Sequence, residues 1–513
     1  MSTVLDEIFE GFEPSPEFVS VMAAQEPAAV LGLDIGTSGV RAALFDESGR
    51  EIQGASARTN RSIIAAVDFE RVDADDLVEE VTRTIDDLCA KSTATSQRVE
   101  FVAISCFWHS LLGVDGDGHP TTPVLGWANT QVGRAAEKLR ARFDERGIHQ
   151  RTGCRLHPSY WPAKLLWLKE DDSKTYEATK HWLSFAEYLV LRLFGETATS
   201  VSMASGTGML NQRLCEWDRE LITALDVSLD SLPEIAAPGR MFSGLRYEYA
   251  LRWPQLTGAY FFPAIGDGAA NSIGSGCVGL NKIALMIGTS GATRVTFEGT
   301  PPDELASELW CYRADRSRIL IGGALSDGGG LYAWLKNSLA LDDHASIELA
   351  LAEIEPDSHG LTVLPFWAGE RSTGWSTSAR GAILGITNDT RPLDILRAAI
   401  EAVAYRFALI EKLLEAYAPD ATIIASGNAL RASPVWIQIL ADVMGREVQL
   451  SGLPESSTRG AALLALEATG KIASIEETSV PVEQTFVPDR SRQARYREGL
   501  ERQQKLYEKL ISG

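Results

Sequence analysis

Short runs of apolar residues, separated by glycine- and hydroxyl-rich turns, are the first regular feature along the chain. The run Val30-Leu-Gly-Leu-Asp34 precedes a turn at 35–39, and the run Val40-Arg-Ala-Ala-Leu-Phe45 follows it. The segment 283–297 repeats this arrangement. Short apolar runs that end at glycine are typical of strands. We therefore predict two β-hairpins, one in each half of the chain.

The two turns have the same sequence, Ile-Gly-Thr-Ser-Gly, at 35–39 and at 287–291. They are separated by about half of the 513 residues, which indicates a duplicated half-chain. A single such turn is more often a tight hairpin that uses glycine for its positive φ. Two of them favour facing domains that hold one polyphosphate, because glycine N–H groups and hydroxyls can converge on an anion.

Two aspartates stand beside the repeated turns. Asp34 ends the strand before the first turn, where a carboxylate can hold Mg²⁺ next to phosphates, or can simply bond to its own turn. Asp267 lies in a Gly-Asp-Gly sequence ahead of a small-residue helix. It is either the N-cap of that helix or the carboxylate that accepts a hydroxyl proton during phosphoryl transfer. Proximity to the turns favours the metal role for Asp34 and the base role for Asp267.

Two more glycine-rich junctions follow. A predicted strand at 421–425 leads into Ser426-Gly-Asn428 and then into a helix capped by Ser433 with Pro434 as its first residue. Such a junction suits a flat base or a ribose, although many α/β proteins contain similar ones. The segment 326–331, Ser-Asp-Gly-Gly-Gly-Leu, offers either a close backbone approach to a ligand or a cap for the next helix.

Composition narrows the classes of protein. The net charge of −21, with 69 acidic against 48 basic residues, argues against nucleic acid as a partner. Six widely spaced cysteines without a CxxC pair indicate free thiols in a reducing cytoplasm. The first basic residue is Arg41, which argues against a secretory signal, and no apolar stretch approaches the ~20 residues of a membrane span.

The ordered set of motifs resembles the FGGY family of carbohydrate kinases, within the actin, Hsp70 and hexokinase-like superfamily of ATPases. The resemblance covers about residues 29–470. It rests on Leu33-Asp-Ile-Gly-Thr-Ser38, His109-Ser110 followed by Val114-Asp and Trp127, Gly266-Asp-Gly268, Ile287-Gly-Thr-Ser-Gly291, Ser426-Gly-Asn428, and Ser456 to Ala461. The stretches most similar to the gluconokinase branch are 152–158, 204–208 and 369–372.

This resemblance implies an α/β fold with two RNase H-like domains, of the actin/hexokinase type, on either side of a cleft. We predict an N-terminal tail at 1–28, a domain at 29–275 for the substrate and the catalytic base, a domain at 276–480 for the nucleotide, and a C-terminal helical tail at 481–513. The tail at 1–28 is either disordered or an arm that docks on a partner subunit of a homodimer.

The resemblance also implies roles for individual residues, with ATP and Mg²⁺ as cofactors. Asp34 is the implied metal ligand and Asp267 the implied base. The implied nucleotide-binding residues are Gly36, Thr37, Ser38, Arg41, Gly288, Thr289, Gly329, Gly427 and Asn428. The residues implied to contact the sugar, besides Asp267, are Trp108, His109, Trp127 and Asn129. Without the resemblance, His109 would be interpreted as a satisfied histidine at a strand end.

One motif departs from the family pattern. Many relatives carry Trp-x-Asp-x-Arg where this chain has Trp127-Ala-Asn129-Thr-Gln131. Two amides thus replace a carboxylate and a guanidinium. Sites of this kind discriminate strongly between hydroxylated ligands, so the departure bears on the choice of sugar and leaves the catalytic groups unchanged.

The expected function is therefore ATP-dependent phosphorylation of a hydroxyl on a small carbohydrate or sugar acid, either gluconate-like or a pentulose or polyol. The expected site of action is the cytoplasm, with no membrane or nucleic-acid partner. One alternative is a catalytically weak sensor or scaffold, against which the presence of both Asp34 and Asp267 argues. A chaperone-type ATPase is the other, but the helical segment 489–510 is too short for a client-binding region.

Overall fold

Two β-sheets, one in each half of the chain, organise the computed structural model. It describes residues 27–61, 71–95, 98–128, 130–453 and 455–512. The strands of the first half are β1 (Pro27–Gly36), β2 (Gly39–Phe45), β3 (Glu51–Asn60), β4 (Arg71–Val72), β5 (Arg98–Cys106), β6 (Leu112–Val114), β7 (Val124–Leu125), β8 (His181–Leu183), β9 (Leu210–Asn211), β10 (Glu216–Trp217), β11 (Tyr260–Phe261) and β12 (Ile265–Gly266). Its helices are α1 (Ala74–Thr95), α2 (Gly133–Arg142), α3 (Glu145–Thr152), α4 (Trp161–Asp171), α5 (Ser173–Ala178), α6 (Phe185–Phe194), α7 (Val201–Ser205), α8 (Arg219–Ala224), α9 (Tyr247–Arg252) and α10 (Asp267–Gly274).

The second half repeats this mixture of strands and helices. Its strands are β13 (Gly279–Ile287), β14 (Gly291–Glu298), β15 (Trp310–Arg313), β16 (Arg318–Leu325), β17 (Thr362–Leu364), β18 (Ala382–Leu384), β19 (Thr422–Ser426), β20 (Val448–Ser451) and β21 (Val482–Phe486). Its helices are α11 (Gly329–Ser338), α12 (His344–Ala352), α13 (Pro392–Leu414), α14 (Asn428–Ala432), α15 (Pro434–Met444), α16 (Ser456–Ala468) and α17 (Arg490–Tyr507).

Both main sheets share the topology of five strands, to which the second sheet adds β15 and β21 at its edges. In the first, the strand order is β11-β5-β1-β2-β3; β1, β2 and β3 are antiparallel, and β5 runs parallel to β1. In the second, the order is β15-β16-β14-β13-β19-β20-β21; β13, β14 and β16 are antiparallel, and β19 runs parallel to β13. An antiparallel meander that continues into parallel strands is the RNase H-like arrangement, so the predicted duplication and fold class are confirmed.

The repeated turns occupy equivalent places in the two sheets. The first connects β1 to β2 and the second connects β13 to β14, so both predicted hairpins are present. Strands β1 and β13 lie in the middle of their sheets, with neighbours on both edges. A central strand covered on both faces requires a continuous apolar run, which explains the sequence pattern that flanks each turn.

Helix α16 comes from the second half of the chain but packs on the first sheet, against β1, β5 and α10. The two helices cross at glycines that leave no room for a side chain. A Cβ at Gly460 would lie 1.8 Å from the carbonyl oxygen of Ala270, and one at Gly274 would lie 1.7 Å from that of Ser456. This close crossing ties the two halves together behind the turns.

The end of the chain differs from the predicted helical tail at 481–513. Strand β21 pairs antiparallel with β20 and extends the second sheet, and α17 then packs against α15. The sequence analysis missed β21 because this short strand is mostly exposed and therefore lacks a run of apolar residues. The predicted N-terminal tail lies outside the described residues up to residue 26, and β1 begins at Pro27.

Within the described ranges, no helix combines the length and apolarity needed to cross a bilayer. All six cysteines are buried and free, as predicted from their spacing.

Candidate active site

A cleft is lined by all but one of the residues that the resemblance assigned to the nucleotide. It has a volume of about 190 Å³ and lies between the two repeated turns. The predicted residues that line it are Asp34, Gly36, Thr37, Ser38, Arg41, Gly288, Thr289, Gly427 and Asn428, together with Asp267 and Trp127. Gly329 does not line the cleft directly. Two turns far apart in sequence therefore face one space, as the duplication argument required.

Arg61, which the sequence analysis missed, binds the backbone of the first repeated turn. Arg61 donates through Nη1 to the carbonyl oxygens of Gly36 at 2.8 Å and Thr37 at 3.2 Å, and its Nε pairs with Glu80 at 2.8 Å. With these carbonyls held away from the cleft, the turn presents hydroxyls and N–H groups to it. Hydroxyl and N–H donors are the groups that bind an anion.

Asp34 is bonded across the sheet and not to its own turn. Its Oδ1 accepts a hydrogen bond from the hydroxyl of Ser105 at 2.8 Å, and its Oδ2 pairs with Arg41 Nη1 at 3.2 Å. Arg41 also pairs with Glu455 at 3.1 Å. Burial raises the pKa of Asp34, whereas Arg41 and Ser105 oppose that rise. The alternative of a turn-initiating aspartate is therefore wrong.

The second turn is held by the glycine-rich segment that begins α11. The backbone N–H groups of Gly329 and Gly330 donate to the carbonyl oxygens of Gly288 at 2.8 Å and Thr289 at 2.9 Å. A Cβ at Gly329 would lie 2.6 Å from the oxygen of Gly288, so only glycine permits this contact. Gly329 thus supports the turn that lines the cleft.

The loop after β19 also touches this turn. Gly427 has a φ of 97°, and a Cβ there would lie 2.4 Å from the carbonyl oxygen of Ile287. Asn428 begins α14. Ser433 is the N-cap residue of α15, and its hydroxyl accepts from the N–H of Trp436, as the capping pattern predicted. A glycine with positive φ is required here because the loop runs against the backbone of β13.

A second, smaller pocket adjoins the cleft. It is lined by aromatic and cationic side chains, among them Trp108, His109, Trp127, Tyr312, Arg294 and Arg371. The pocket and the cleft share Trp127, Asp267, Met286 and Ser290. Asp267 therefore stands at the boundary between the two spaces.

Asp267 is the first residue of α10, and Gly266 before it is the N-cap residue, so the capping alternative is wrong. Its Oδ1 accepts from the N–H of Gly268 at 2.8 Å. Burial raises the pKa of Asp267 to about 6; repulsion from Asp34 adds to the rise, and attraction to Arg294 opposes it. A carboxyl group with this pKa is largely ionised near neutral pH and still basic enough to accept a proton.

The glycines beside Asp267 make room for the indole of Trp108. A Cβ at Gly266 would lie 1.8 Å from Trp108 Cε2, and one at Gly268 would lie 2.6 Å from Cζ3. The indole Nε1 donates to the carbonyl oxygen of Ser202 at 2.9 Å. The segment that carries Asp267 therefore packs directly against the indole of Trp108.

The variant Gly266→Ala should lower the free energy of unfolding by about 1–3 kcal/mol, because its methyl group overlaps the Trp108 ring. Thermal unfolding measures this as a reduced Tm. Gly258→Ala is the matched control, since a Cβ there is 3.5 Å from its nearest neighbour. Equal Tm values for the two variants would contradict the packing role of Gly266.

His109 is a neutral side chain with one nitrogen committed. Its Nδ1 lies 2.6 Å from the carbonyl oxygen of Gly206. A carbonyl only accepts, so Nδ1 carries the proton and Nε2 is an acceptor. Burial lowers the pKa of His109 to about 3, which keeps the ring neutral. It lies in the pocket as the resemblance implied, with a lone pair for a hydroxyl.

Trp127 is joined to the second half of the chain by Arg371, another residue that the sequence analysis did not assign. The guanidinium carbon of Arg371 lies 4.6 Å from the centre of a Trp127 ring, and its Nη2 donates to Leu325 O at 2.8 Å. Asn129 lies outside the described residues. Gln131 is exposed and does not line the pocket.

The geometry corresponds to a known family over most of the chain. The N-terminal domain of the FGGY family of carbohydrate kinases matches residues 29–274, and the C-terminal domain of the same family matches residues 283–469. The chain belongs to the FGGY family of carbohydrate kinases. The predicted resemblance is thereby confirmed, and with it the enzyme class: the protein is a kinase that uses ATP.

Individual FGGY kinases are similar over nearly the whole length. The gluconokinase of Bacillus subtilis (strain 168) is 28% identical over 471 residues, which cover 89% of this chain and 91% of that protein. The xylulose kinase of Escherichia coli (strain K12) is 26% identical over 492 residues, which cover 94% of this chain and 99% of that protein. The crystal structure of gluconate kinase from Lactobacillus acidophilus is 26% identical with a TM-score of 0.83, covering 94% of this chain and 98% of that one.

Proposed function

We propose that this FGGY kinase transfers the γ-phosphate of ATP to a hydroxyl of a small sugar acid or pentulose, with Asp267 as the general base. The observation that carries the proposal is the position of Asp267 on the boundary between the nucleotide cleft and the aromatic pocket. Phosphoryl transfer requires the attacking hydroxyl, its base and the γ-phosphate to meet at one point. Relatives named for a sugar acid and for a pentulose support these two substrate classes.

Each part of the site has a role in this reaction. The hydroxyls and N–H groups of the two repeated turns hold the phosphates, and the loop at Gly427 and Asn428 receives the nucleoside. His109 accepts a hydrogen bond from a sugar hydroxyl through Nε2. Asp267 takes the proton of the attacking hydroxyl. Closure of the two domains over both ligands would exclude water, which limits loss of the phosphate to hydrolysis.

The surroundings of Asp34 fit a magnesium site. Its carboxylate oxygens are hard donors beside the first phosphate turn, and Mg²⁺ in kinases is commonly bound by one or two carboxylates together with substrate phosphates. Arg41 pairs with Asp34 Oδ2 through Nη1 and with Glu455 through Nε, so Nη1 would become available for a phosphate oxygen once the Asp34 carboxylate holds the metal. The bound ion would offset the negative charge of the phosphates during transfer.

A sugar acid is favoured over a neutral pentulose by the charge of the aromatic pocket. Arg371 lines it, and no carboxylate among the described residues forms an ion pair with the guanidinium. Its Nε is buried without a hydrogen-bond partner. Burying an unpaired charge is costly, and a bound carboxylate would relieve that cost through charge-assisted hydrogen bonds.

The test is acceptor-dependent ADP formation with gluconate, other aldonic acids, xylulose, ribulose, glycerol and tetritols. The proposal expects turnover that depends on a sugar acid or a pentulose. ATP binding without transfer to any of them would instead support the sensor or scaffold alternative, and acceptor-independent hydrolysis would support an ATPase.

Arg371→Met should lower kcat/KM for aldonic acids by about 10- to 100-fold, since a hydrogen bond to a charged group contributes about 1.5–3 kcal/mol. Neutral acceptors of similar length should lose much less. Arg380→Met, at an exposed arginine later in the same segment, is the matched control. Equal losses for acidic and neutral acceptors would show that Arg371 does not recognise a carboxylate.

We propose action in the cytoplasm, which six buried free thiols support. The homodimer was inferred from the N-terminal arm, which lies outside the described residues up to residue 26, and it stays a prediction.

A further inference from the structure

A lysine with no role in the reaction described above is completely buried beside the aromatic pocket, which the proposed function assigns to the sugar. Lys164 lies in α4, and its side chain is inaccessible to solvent. Its Nζ donates to the carbonyl oxygen of His109 at 2.5 Å and to that of Leu125 at 3.3 Å. No carboxylate of the described residues lies within ion-pair distance of it. Burial lowers the pKa of Lys164 to about 7, so its protonated form is costly here and the retention of a lysine demands a specific reason.

The residue that Lys164 holds is in an unusual conformation. His109 has a φ of 71°, in the left-handed region that non-glycine residues adopt rarely and at a cost. Such a conformation persists only when the surroundings impose it. Lys164 Nζ donates to the carbonyl oxygen of this residue, and His109 Nδ1 donates to the carbonyl oxygen of Gly206. The backbone and the ring of His109 are thus each held by a hydrogen bond.

Helix α4 holds the next residue in the same way. Trp161 Nε1 donates to the carbonyl oxygen of Ser110 at 2.7 Å. Trp161 and Lys164 are three positions apart and therefore share a face of the helix. One helix face consequently binds two successive carbonyls of the turn that carries His109.

The second contact of Lys164 is with the strand that leads to Trp127. Leu125 ends β7, two residues before Trp127, which lines the pocket and stacks with Arg371. The carbonyl oxygen of Trp127 accepts from the hydroxyl of Ser159, shortly before α4. The lysine therefore links the strand that leads to Trp127 with the turn that presents His109.

We infer that Lys164 is a positioning residue, whose Nζ holds the left-handed turn at His109 so that the imidazole Nε2 points into the aromatic pocket. It acts on the acceptor through His109 and does not touch the reacting atoms. This inference rests on the proposed kinase function, because it assigns the pocket of His109 to the sugar. The nucleotide cleft is not lined by either residue, so ATP binding should not depend on Lys164.

The test is a double-mutant cycle between Lys164→Met and His109→Ala, with steady-state kinetics for the acceptor and for ATP. Lys164→Met should lower kcat/KM for the acceptor by about 10–100-fold, because small misplacements of a binding group have effects of this size. The KM for ATP should stay within about twofold of the wild-type value. In the His109→Ala background, Lys164→Met should cause almost no further loss, since its effect passes through the imidazole.

Lys169→Met provides the matched control. Lys169 lies on the same helix but is partly exposed, and it pairs with Asp226 at 2.6 Å. The same substitution there should leave kcat/KM for the acceptor unchanged. Lys164→Gln keeps an N–H donor and should lose less kcat/KM for the acceptor than Lys164→Met; if Lys164→Met fails to fold, Lys164→Leu replaces it in the cycle.

Additive losses in the double variant, or parallel losses in acceptor and ATP kinetics, would overturn the inference in favour of a general structural role. Wild-type kinetics in a folded Lys164→Met would overturn it as well. These outcomes are separate from a failure of the proposed function, which would appear as an absence of acceptor-dependent ATP turnover in the wild-type enzyme.

Discussion

Replacing Asp267 by asparagine is expected to lower kcat by about 10²–10⁴-fold, the range usual for loss of a general base. The amide cannot accept the hydroxyl proton, although it has nearly the same shape and can still accept from the N–H of Gly268. ATP binding should persist, because the phosphate turns and the loop at Gly427 are untouched. Steady-state kinetics with the best acceptor and equilibrium nucleotide titration measure the two quantities separately.

The pH dependence gives a second measurement on the same residue. Burial and repulsion from Asp34 raise the pKa of Asp267 to about 6, and the base works only when it is deprotonated. In the wild-type enzyme, kcat/KM should therefore fall as the pH is lowered through about 6 and level off above it. Asp267→Asn should lack this limb. Asp117→Asn, in an exposed turn, is the control, and turnover near the wild-type level in Asp267→Asn would refute the assignment.

The duplicated fold could be predicted because its signal is local. Each Ile-Gly-Thr-Ser-Gly turn contains the residues that its own geometry needs, and the apolar runs beside it define central strands. Gly427 and Gly329 were also predictable, since a strand, a glycine-rich loop and a helix N-terminus follow one another along the chain. Their physical reason, a close approach to the backbone of the second turn, emerges only from the packing of the loops.

The supporting cations could not be predicted in this way. Arg61, Lys164 and Arg371 bind backbone carbonyls that are 25, 55 and 46 residues away along the chain. A carbonyl acceptor leaves no trace in the sequence, because every residue has one. An ion pair would have required a matching carboxylate, but Lys164 and Arg371 have none among the described residues.

The role of Asn129 in the choice of sugar stays a prediction, because this residue lies outside the described residues. Relatives with Trp-x-Asp-x-Arg place their guanidinium in that motif, whereas here Gln131 is exposed and the cation stacked on Trp127 is Arg371. On the proposed role of Arg371, the charge that would help to choose the substrate comes from the second half of the chain. Domain closure would bring it onto the acceptor together with the nucleotide.

The variant Asp34→Asn should lower kcat by about 10²–10³-fold, since the charge stabilisation that a bound metal supplies is worth several kcal/mol. The amide is a weaker ligand for Mg²⁺ because it carries no negative charge. The Mg²⁺ concentration that gives half the maximal rate should rise as well. Kinetics at fixed ATP over a series of Mg²⁺ concentrations measure both changes.

Ser105→Ala is the control that separates the charge of Asp34 from its orientation. This variant removes the hydrogen bond to Asp34 Oδ1 but leaves the carboxylate and its contact with Arg41, so the loss should stay within about tenfold. Equal losses of activity in Asp34→Asn and Ser105→Ala would show that Asp34 orients the turn and does not bind the metal. A rise in Mg²⁺ requirement confined to Asp34→Asn assigns the metal to this carboxylate, because only that change removes the negative charge beside the phosphates.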